Sequence, residues 1–209
     1  MTEPSCRLYL LTPRLRLADL DGFAPRFGAA LAAGDVASAL ARLAPGAEVD
    51  AKRIIARLVE IAAAADVALL VENDARLAAR AGADGAHVEG PELAQAISSL
   101  QPERIVGAGQ LRSRDDAMNA GEAGADYVMF GEPRPDGWTP PLAETLERVS
   151  WWAEIFQTPC VAFAATLEAV APLAEAGAEF IALGDAVWGD AAPEAAVTEA
   201  TRVIAGIAR

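Results

Sequence analysis

The residues of this chain best suited to chemistry are Asn73, Asp74, His87, Glu92, Glu132 and Asp185. Each lies within or just after a short apolar run. Carboxylates gathered at one edge of a fold offer hard oxygen ligands, which Mg²⁺ accepts while keeping several waters. His87, the only histidine, can hold a proton or contact a ligand. Each residue also has a structural use. Asp74 and Glu92 suit helix N-termini, through capping and the macrodipole. His87 suits a hydrogen-bonded packing position, and strand alternation turns it away from Ala86 and Val88, into a barrel or under a helix. Arg112, Arg114 and Arg134 are the nearest cations, available to an anion or to solvent. Trp138 and Trp188 either wall a pocket or pack loops.

The elements that must position these residues announce themselves by repetition. AGADGAHVEG (81–90), AGADYVMFGE (123–132) and AGAEFIALGD (176–185) share one plan. A helix ends, a Gly takes a positive-φ C-cap, an acid follows two residues later, and a β-rich run begins. Repeated helix–Gly–strand joints signal βα units around a parallel sheet. Strands are expected at Arg7–Thr12, Val36–Leu43, Val67–Glu72, Gly85–Val88, Arg104–Ala108, Tyr127–Phe130, Cys160–Ala164 and Phe180–Leu183. The second is the weakest, since VASALARL also suits a helix. Helices are expected between them, with Asp50 and Ser113 as caps, Pro91 in a first turn, and Pro172 weakening Thr166–Ala176. A Pro/Gly-rich loop spans Glu132–Pro141.

Eight strands alternating with eight helices over residues 1–209 fit a single-domain (β/α)8 TIM barrel. An open doubly wound sheet is the alternative. In a barrel, ligands gather at the strand C-termini. That rim would hold Thr12, Glu72, Asn73, Asp74, Glu89, Glu92, Gly109, Gln110, Glu132, Ala165 and Asp185.

The totals narrow the partners. The chain has 209 residues, 53% hydrophobic, and a net charge of −13. That balance argues against nucleic acid and anionic membrane. No apolar run approaches the ~18 residues of a membrane span, and MTEPSCRLYLL lacks a signal-peptide pattern. Cys6 and Cys160 read as buried, reduced thiols of a cytoplasmic protein. No Cys/His cluster suggests zinc. Trp151-Trp152 point about 100° apart on a helix, so one can join the core while the other serves a homo-oligomer contact.

Several segments together resemble the thiamin phosphate synthase family, which includes thiazole tautomerases. Leu8–Thr12 resembles its opening strand, and Asn73-Asp74-Ala75-Arg76 its Asn-Asp-Arg with one residue inserted. Gly82–Val88 resembles its Gly-Ala-Asp-Gly-Val-His-Leu, and Gly124–Glu132 its Gly-Ala-Asp-Tyr-Ile-Gly-Phe-Gly-Pro. The resemblance implies a (β/α)8 barrel. It also implies Mg²⁺-dependent joining of a pyrimidine pyrophosphate to a thiazole phosphate, with release of pyrophosphate. By it, Asn73 contacts substrate, Asp74 and Glu92 hold Mg²⁺, His87 matches the strand-4 histidine, and Arg134 is a substitute cation. Ligand contacts fall at Gly131, Glu132, Ala164, Ala165, Gly184, Asp185 and Trp188.

The chain also departs from that pattern. The family's Gln-x-Arg-x-Lys on strand 2 falls on Ala39, Ala41 and Leu43. Its serine after strand 5 is Gly109, its Thr-Lys after strand 6 is missing, its Gly-Gly after strand 7 is Ala164-Ala165, and its last serine is Asp185. Like charges 4 Å apart repel by ~1 kcal/mol in water and ~4 at an effective dielectric of 20. The expectation is a weakened diphosphate site with impaired activity. The alternative is a silent relative that binds a neutral or cationic, thiamin-like molecule at an acidic, Trp-lined mouth through charge and cation–π attraction.

Overall fold

The computed structural model describes residues 6–134, 136–189 and 192–207. Eight parallel strands close into a barrel in sequence order. They are β1 (Arg7–Leu15), β2 (Val36–Leu43), β3 (Ala68–Glu72), β4 (Gly85–Glu89), β5 (Ile105–Gly109), β6 (Tyr127–Phe130), β7 (Cys160–Ala164) and β8 (Phe180–Leu183). Around them lie α1 (Leu17–Ala32), α2 (Ala51–Ala64), α3 (Ala75–Ala81), α4 (Gly90–Leu100), α5 (Arg114–Glu122), α6 (Leu142–Ile155), α7 (Val170–Glu175) and α9 (Pro193–Ile207). A short α8 (Asp185–Trp188) follows β8; its four residues are too few for a periodic pattern to show. As Pro172 suggested, the chain before α7 makes only a 3₁₀ turn, Leu167–Ala169.

The repeated joint is a precise device. Gly82, Gly124 and Gly177 have φ of 78°, 95° and 100°, a region that penalises a Cβ. The acid two residues on then reaches across to the preceding strand. Asp84 accepts the Leu69 N–H at 2.8 Å, Asp126 that of Val106 at 2.7 Å, and Glu179 that of Cys160 at 2.8 Å. These acids therefore tie β3, β5 and β7 at the barrel's N-terminal face, the end opposite the expected site.

Parallel strands covered on both faces read as continuous apolar runs. β7, CVAFA, is buried throughout. One cluster packs strands against helices. A second, with Tyr9, Leu11, Leu40, Leu70, Tyr127, Met129, Val161, Phe163 and Ala182, fills the barrel interior.

The phase of β2 corrects the expected alignment. Leu40 stands beside Leu11, and Arg42 beside Arg14. With Leu40 in the interior cluster, alternation directs Ser38 and Arg42 inward as well, and Ala39, Ala41 and Leu43 outward. A one-residue slip exchanges every side chain between faces. β1 also runs past Thr12, with a register shift between Leu11 and Arg14. Around that bulge the Thr12 hydroxyl accepts the Arg42 N–H at 2.9 Å, and Arg42 Nε donates to the Thr12 carbonyl at 2.6 Å. Bulges often re-aim side chains in this way.

Candidate active site

The C-terminal ends of the strands surround a cavity of about 620 Å³, a size that suits small-molecule ligands. Three arginines line it, Arg14, Arg42 and Arg134, against four carboxylates, Glu72, Glu89, Glu132 and Asp185. The mouth is thus mixed in charge rather than simply acidic. Arg14 donates to Glu72 at 2.7 Å. Burial lowers the Arg42 pKa from its ordinary value, and neighbouring Glu72 opposes that shift. A desolvated guanidinium offering a planar set of donors is a strong group for an anion.

Sequence reasoning missed Arg14 and Arg42. Strand 1 was expected to stop at Thr12, before Arg14. On strand 2 the family pattern falls on the Ala39–Ala41–Leu43 face, and a face of alanines set against one of Ser38, Leu40 and Arg42 gives little hydrophobic contrast to fix the phase.

His87 faces the interior on β4 and is 3% exposed. Its Nδ1 lies 2.9 Å from the Tyr127 hydroxyl, which lies 2.9 Å from that of Tyr9. Its Nε2 lies 3.2 Å from Glu132 Oε2. Burial raises the phenol pKa of both tyrosines above the ordinary value, so both remain hydroxyl donors at neutral pH. Glu132 Oε1 also accepts the Gln110 N–H. The structure thus joins His87, Glu132 and Gln110 with two tyrosines that composition did not single out.

Asn73 sits at φ 51° and ties the ends of β3 and β4. Its Oδ1 accepts the Glu89 N–H at 3.1 Å, and its Nδ2 donates to Glu89 Oε1 at 3.2 Å. Asp74 caps α3, with Oδ1 accepting the Leu77 N–H at 2.7 Å, so the capping use of this residue is realised. Asp74, Asn73 and Glu92 line a separate groove. Among the described residues, no three His, Cys, Asp or Glu side chains gather as a metal group. The groove's donor set is oxygen-rich, with two carboxylates. That fits Mg²⁺, which commonly takes one or two protein carboxylates and completes its shell with water and substrate phosphate.

Arg134 lies over the Trp138 ring at 4.1 Å, within cation–π range, and its N–H donates to the Trp138 carbonyl at 2.8 Å. The pair arms the loop after β6, of which Pro135 is outside the described residues. Gly131 has φ 84°, and a Cβ there would also crowd Thr145. Ala164 is buried and Ala165 exposed at the end of β7. Gly184 precedes α8, and Asp185 opens it at the cavity.

Trp188 corrects the expected Trp-lined mouth. It is absent from the residues lining the cavity, its ring packs against Phe23 at 5.0 Å, and its Nε1–H donates to the Leu11 carbonyl at 2.5 Å. Arg112 lines neighbouring grooves instead of the mouth. Arg114 pairs with Glu147 at 2.9 Å and covers Trp151. Trp152 is buried, as one of the Trp pair was expected to be.

The model of the thiamine monophosphate synthase family matches residues 8–187. A thiamine-phosphate synthase of Rhodospirillum centenum is 41% identical over 206 residues, covering 96% of this chain and 99% of that protein. One of Erythrobacter litoralis is 39% identical over 199 residues, covering 90% of each. Among solved structures, a thiamine phosphate pyrophosphorylase from Pyrococcus furiosus superposes with a TM-score of 0.79 at 23% identity, covering 98% of both chains. A 3-hexulose-6-phosphate synthase superposes at 0.69 and 20% identity, covering 94% of this chain and 99% of that one; this likeness is one of fold.

Proposed function

The chain belongs to the thiamine monophosphate synthase family, and from that premise we propose that it is a working synthase of thiamin biosynthesis. It joins a pyrimidine diphosphate to a thiazole phosphate, forming the carbon–nitrogen bond and releasing diphosphate. The observation that carries this reading is Arg42, half-buried in the barrel wall and lining the mouth beside Arg14. These arginines supply the cationic wall that a diphosphate requires, although neither stands at a position where the family pattern was aligned.

In the reaction, the thiazole nitrogen attacks the pyrimidine methylene carbon, and the bond from that carbon to the diphosphate oxygen breaks. Negative charge then grows on the leaving diphosphate. Arg42 and Arg14 stabilise it from β2 and β1, and Arg134 does so from the loop after β6. Fixed cations aimed at developing charge are the largest common source of catalytic stabilisation. Asp74 and Glu92 would hold Mg²⁺, which when bound neutralises diphosphate charge. Asn73 fixes the end of β3 and presents its amide at the mouth. Holding both substrates in one cavity adds the advantage of proximity.

The thiamin-like binding reading needed a cation-poor mouth walled by two tryptophans. Arg14, Arg42 and the packed Trp188 favour the synthase reading over it, and turnover decides between the two. The test is formation of thiamin phosphate by purified protein with Mg²⁺. Arg42→Met should lower kcat/KM by at least about ten-fold, the order expected for one charge-assisted contact. Equal rates for both proteins would refute the role of Arg42.

A further inference from the structure

A carboxylate of the chain itself occupies part of the cationic wall. Arg14 donates through Nη1 to Glu72 Oε2 at 2.7 Å and through Nη2 to Glu72 Oε1 at 3.4 Å. The strands that carry this pair, β1 and β3, are not neighbours, since β2 lies between them. Arg14 stands beside Arg42 on that middle strand. Glu72 thus spans β2 and closes the fork of Arg14, a geometry that phosphate oxygens also fit. We infer that Glu72 is an internal occupant of the anion site, which holds Arg14 until a diphosphate displaces it and so sets how readily the diphosphate leaves.

Arg42 is used differently. Its Nε donates to the Thr12 carbonyl, and its backbone N–H to the Thr12 hydroxyl. Its two terminal nitrogens make no hydrogen bond among the described residues, where no buried side-chain nitrogen lacks a partner. They therefore open onto the cavity that Arg42 lines. Arg42 offers a free fork, whereas the fork of Arg14 must be exchanged. Arg134, the third cation of the mouth, lies over the Trp138 ring and pairs with no carboxylate among the described residues.

Of the four carboxylates that line the mouth, Glu72 is the one that holds an arginine. Glu132 contacts His87 and the Gln110 N–H. Glu89 accepts from Asn73, and Asp185 makes no ion pair among the described residues. Displacing Glu72 therefore exposes a cation, and displacing any of the others does not. The pair is also weak enough to exchange. The side chains of Arg14 and Glu72 are 48% and 21% exposed, and a partly exposed pair contributes little. A diphosphate brings more charge and more acceptor oxygens than one carboxylate. Arg14 Nη1 also donates to the Leu43 carbonyl at 3.4 Å, a contact that keeps Arg14 at the wall when Glu72 turns away.

The inference rests on the synthase reading for the identity of the anion, but its test does not require turnover. The probe is inorganic diphosphate with Mg²⁺, titrated calorimetrically into the full-length protein, Glu72→Gln and Glu89→Gln, each shown folded by circular dichroism. Both variants remove one charge from the same mouth, and only the first frees an arginine. Glu72→Gln should bind diphosphate about five-fold more tightly or better, the change equivalent to one partly exposed ion pair. Glu89→Gln should gain less than about two-fold, because charge alone is screened at an open mouth. Equal affinity in all three proteins, weaker binding to Glu72→Gln, or the same gain in both variants would each overturn the proposal. A crystal structure with diphosphate and Mg²⁺ gives a second reading free of any substitution. The Arg14–Glu72 pair should part beyond about 4 Å, the limit of an ion pair; a pair still joined beside bound diphosphate overturns the exchange. Turnover with the pair intact would leave the synthase reading standing and remove this one. Exchange of the pair without turnover would do the reverse.

Discussion

At the scale of residues, Asp74 carries two duties that substitution can separate. Its Oδ1 caps α3, and its position beside Glu92 in one groove suits Mg²⁺. Asn caps about as well as Asp but carries no charge. Asp74→Asn should therefore keep the melting temperature within about 2 °C, the equivalent of a few tenths of a kcal/mol, while raising the Mg²⁺ concentration needed for half-maximal rate. Asp74→Ala should do both harms, with about 1 kcal/mol of lost stability. An unchanged Mg²⁺ requirement in the Asn variant would reduce Asp74 to a cap. The thiols make a different prediction. Burial raises the Cys6 pKa to about 12 and pushes Cys160 above its ordinary value, with Glu179 adding to both shifts. The reactive form is the thiolate, so neither should react with a maleimide at pH 7 until the protein is unfolded. Rapid labelling of the folded protein would contradict that. The sequence suggested two buried thiols, because each stands at the start of a short apolar strand; Cys160 is buried, and Cys6 is half-buried.

At the scale of elements, the helix–Gly–strand joint was legible because three copies repeat it, and the acid in each copy had a role that repetition alone did not reveal. Asp126 accepts the Val106 N–H and a Gln101 Nε2–H at 3.0 Å. Asp126→Ala should cost about 1–3 kcal/mol, at roughly 2–4 °C per kcal/mol for a chain of this size, with kcat/KM preserved because the joint lies at the far face. A melting scan beside a rate measurement checks this; lost activity in a folded sample would place the joint in the mechanism. Gly109→Ser should behave oppositely. Its Cβ would displace the His87–Glu132 pair at the cavity wall, so kcat/KM should fall more than stability does. β2 shows where sequence patterning runs out. In VASALARL Ala37, Ala39 and Ala41 share one face while Ser38, Leu40 and Arg42 share the other, so hydrophobic contrast leaves the phase undetermined. The bulge at Thr12-Pro13 then sets which residue stands beside Arg14, and that pairing between separate strands has no local signature.

At the scale of the whole molecule, the (β/α)8 barrel follows from unbroken alternation, and eight parallel strands do close in sequence order. The C-termini of β3, β4, β6 and β8 were enough to predict that Asn73, His87, Glu132 and Asp185 approach one mouth. The charge of that mouth could not be read the same way. The net charge of −13 describes the surface as a whole, whereas three inward or loop-borne arginines set the field inside. A diphosphate bound by that field should stabilise the folded state by mass action. Inorganic diphosphate with Mg²⁺ at about a hundred times its dissociation constant should contribute about 2.7 kcal/mol. An Arg42→Met protein should lose most of the shift, whereas an equal shift in both would place the anion elsewhere. The most direct measurement is turnover itself: purified protein, Mg²⁺, the pyrimidine diphosphate and the thiazole phosphate, with thiamin phosphate and released diphosphate both quantified. Stoichiometric formation of the two products, lost in Arg42→Met, is the predicted result. No thiamin phosphate from a well-folded sample would contradict the proposed synthase activity.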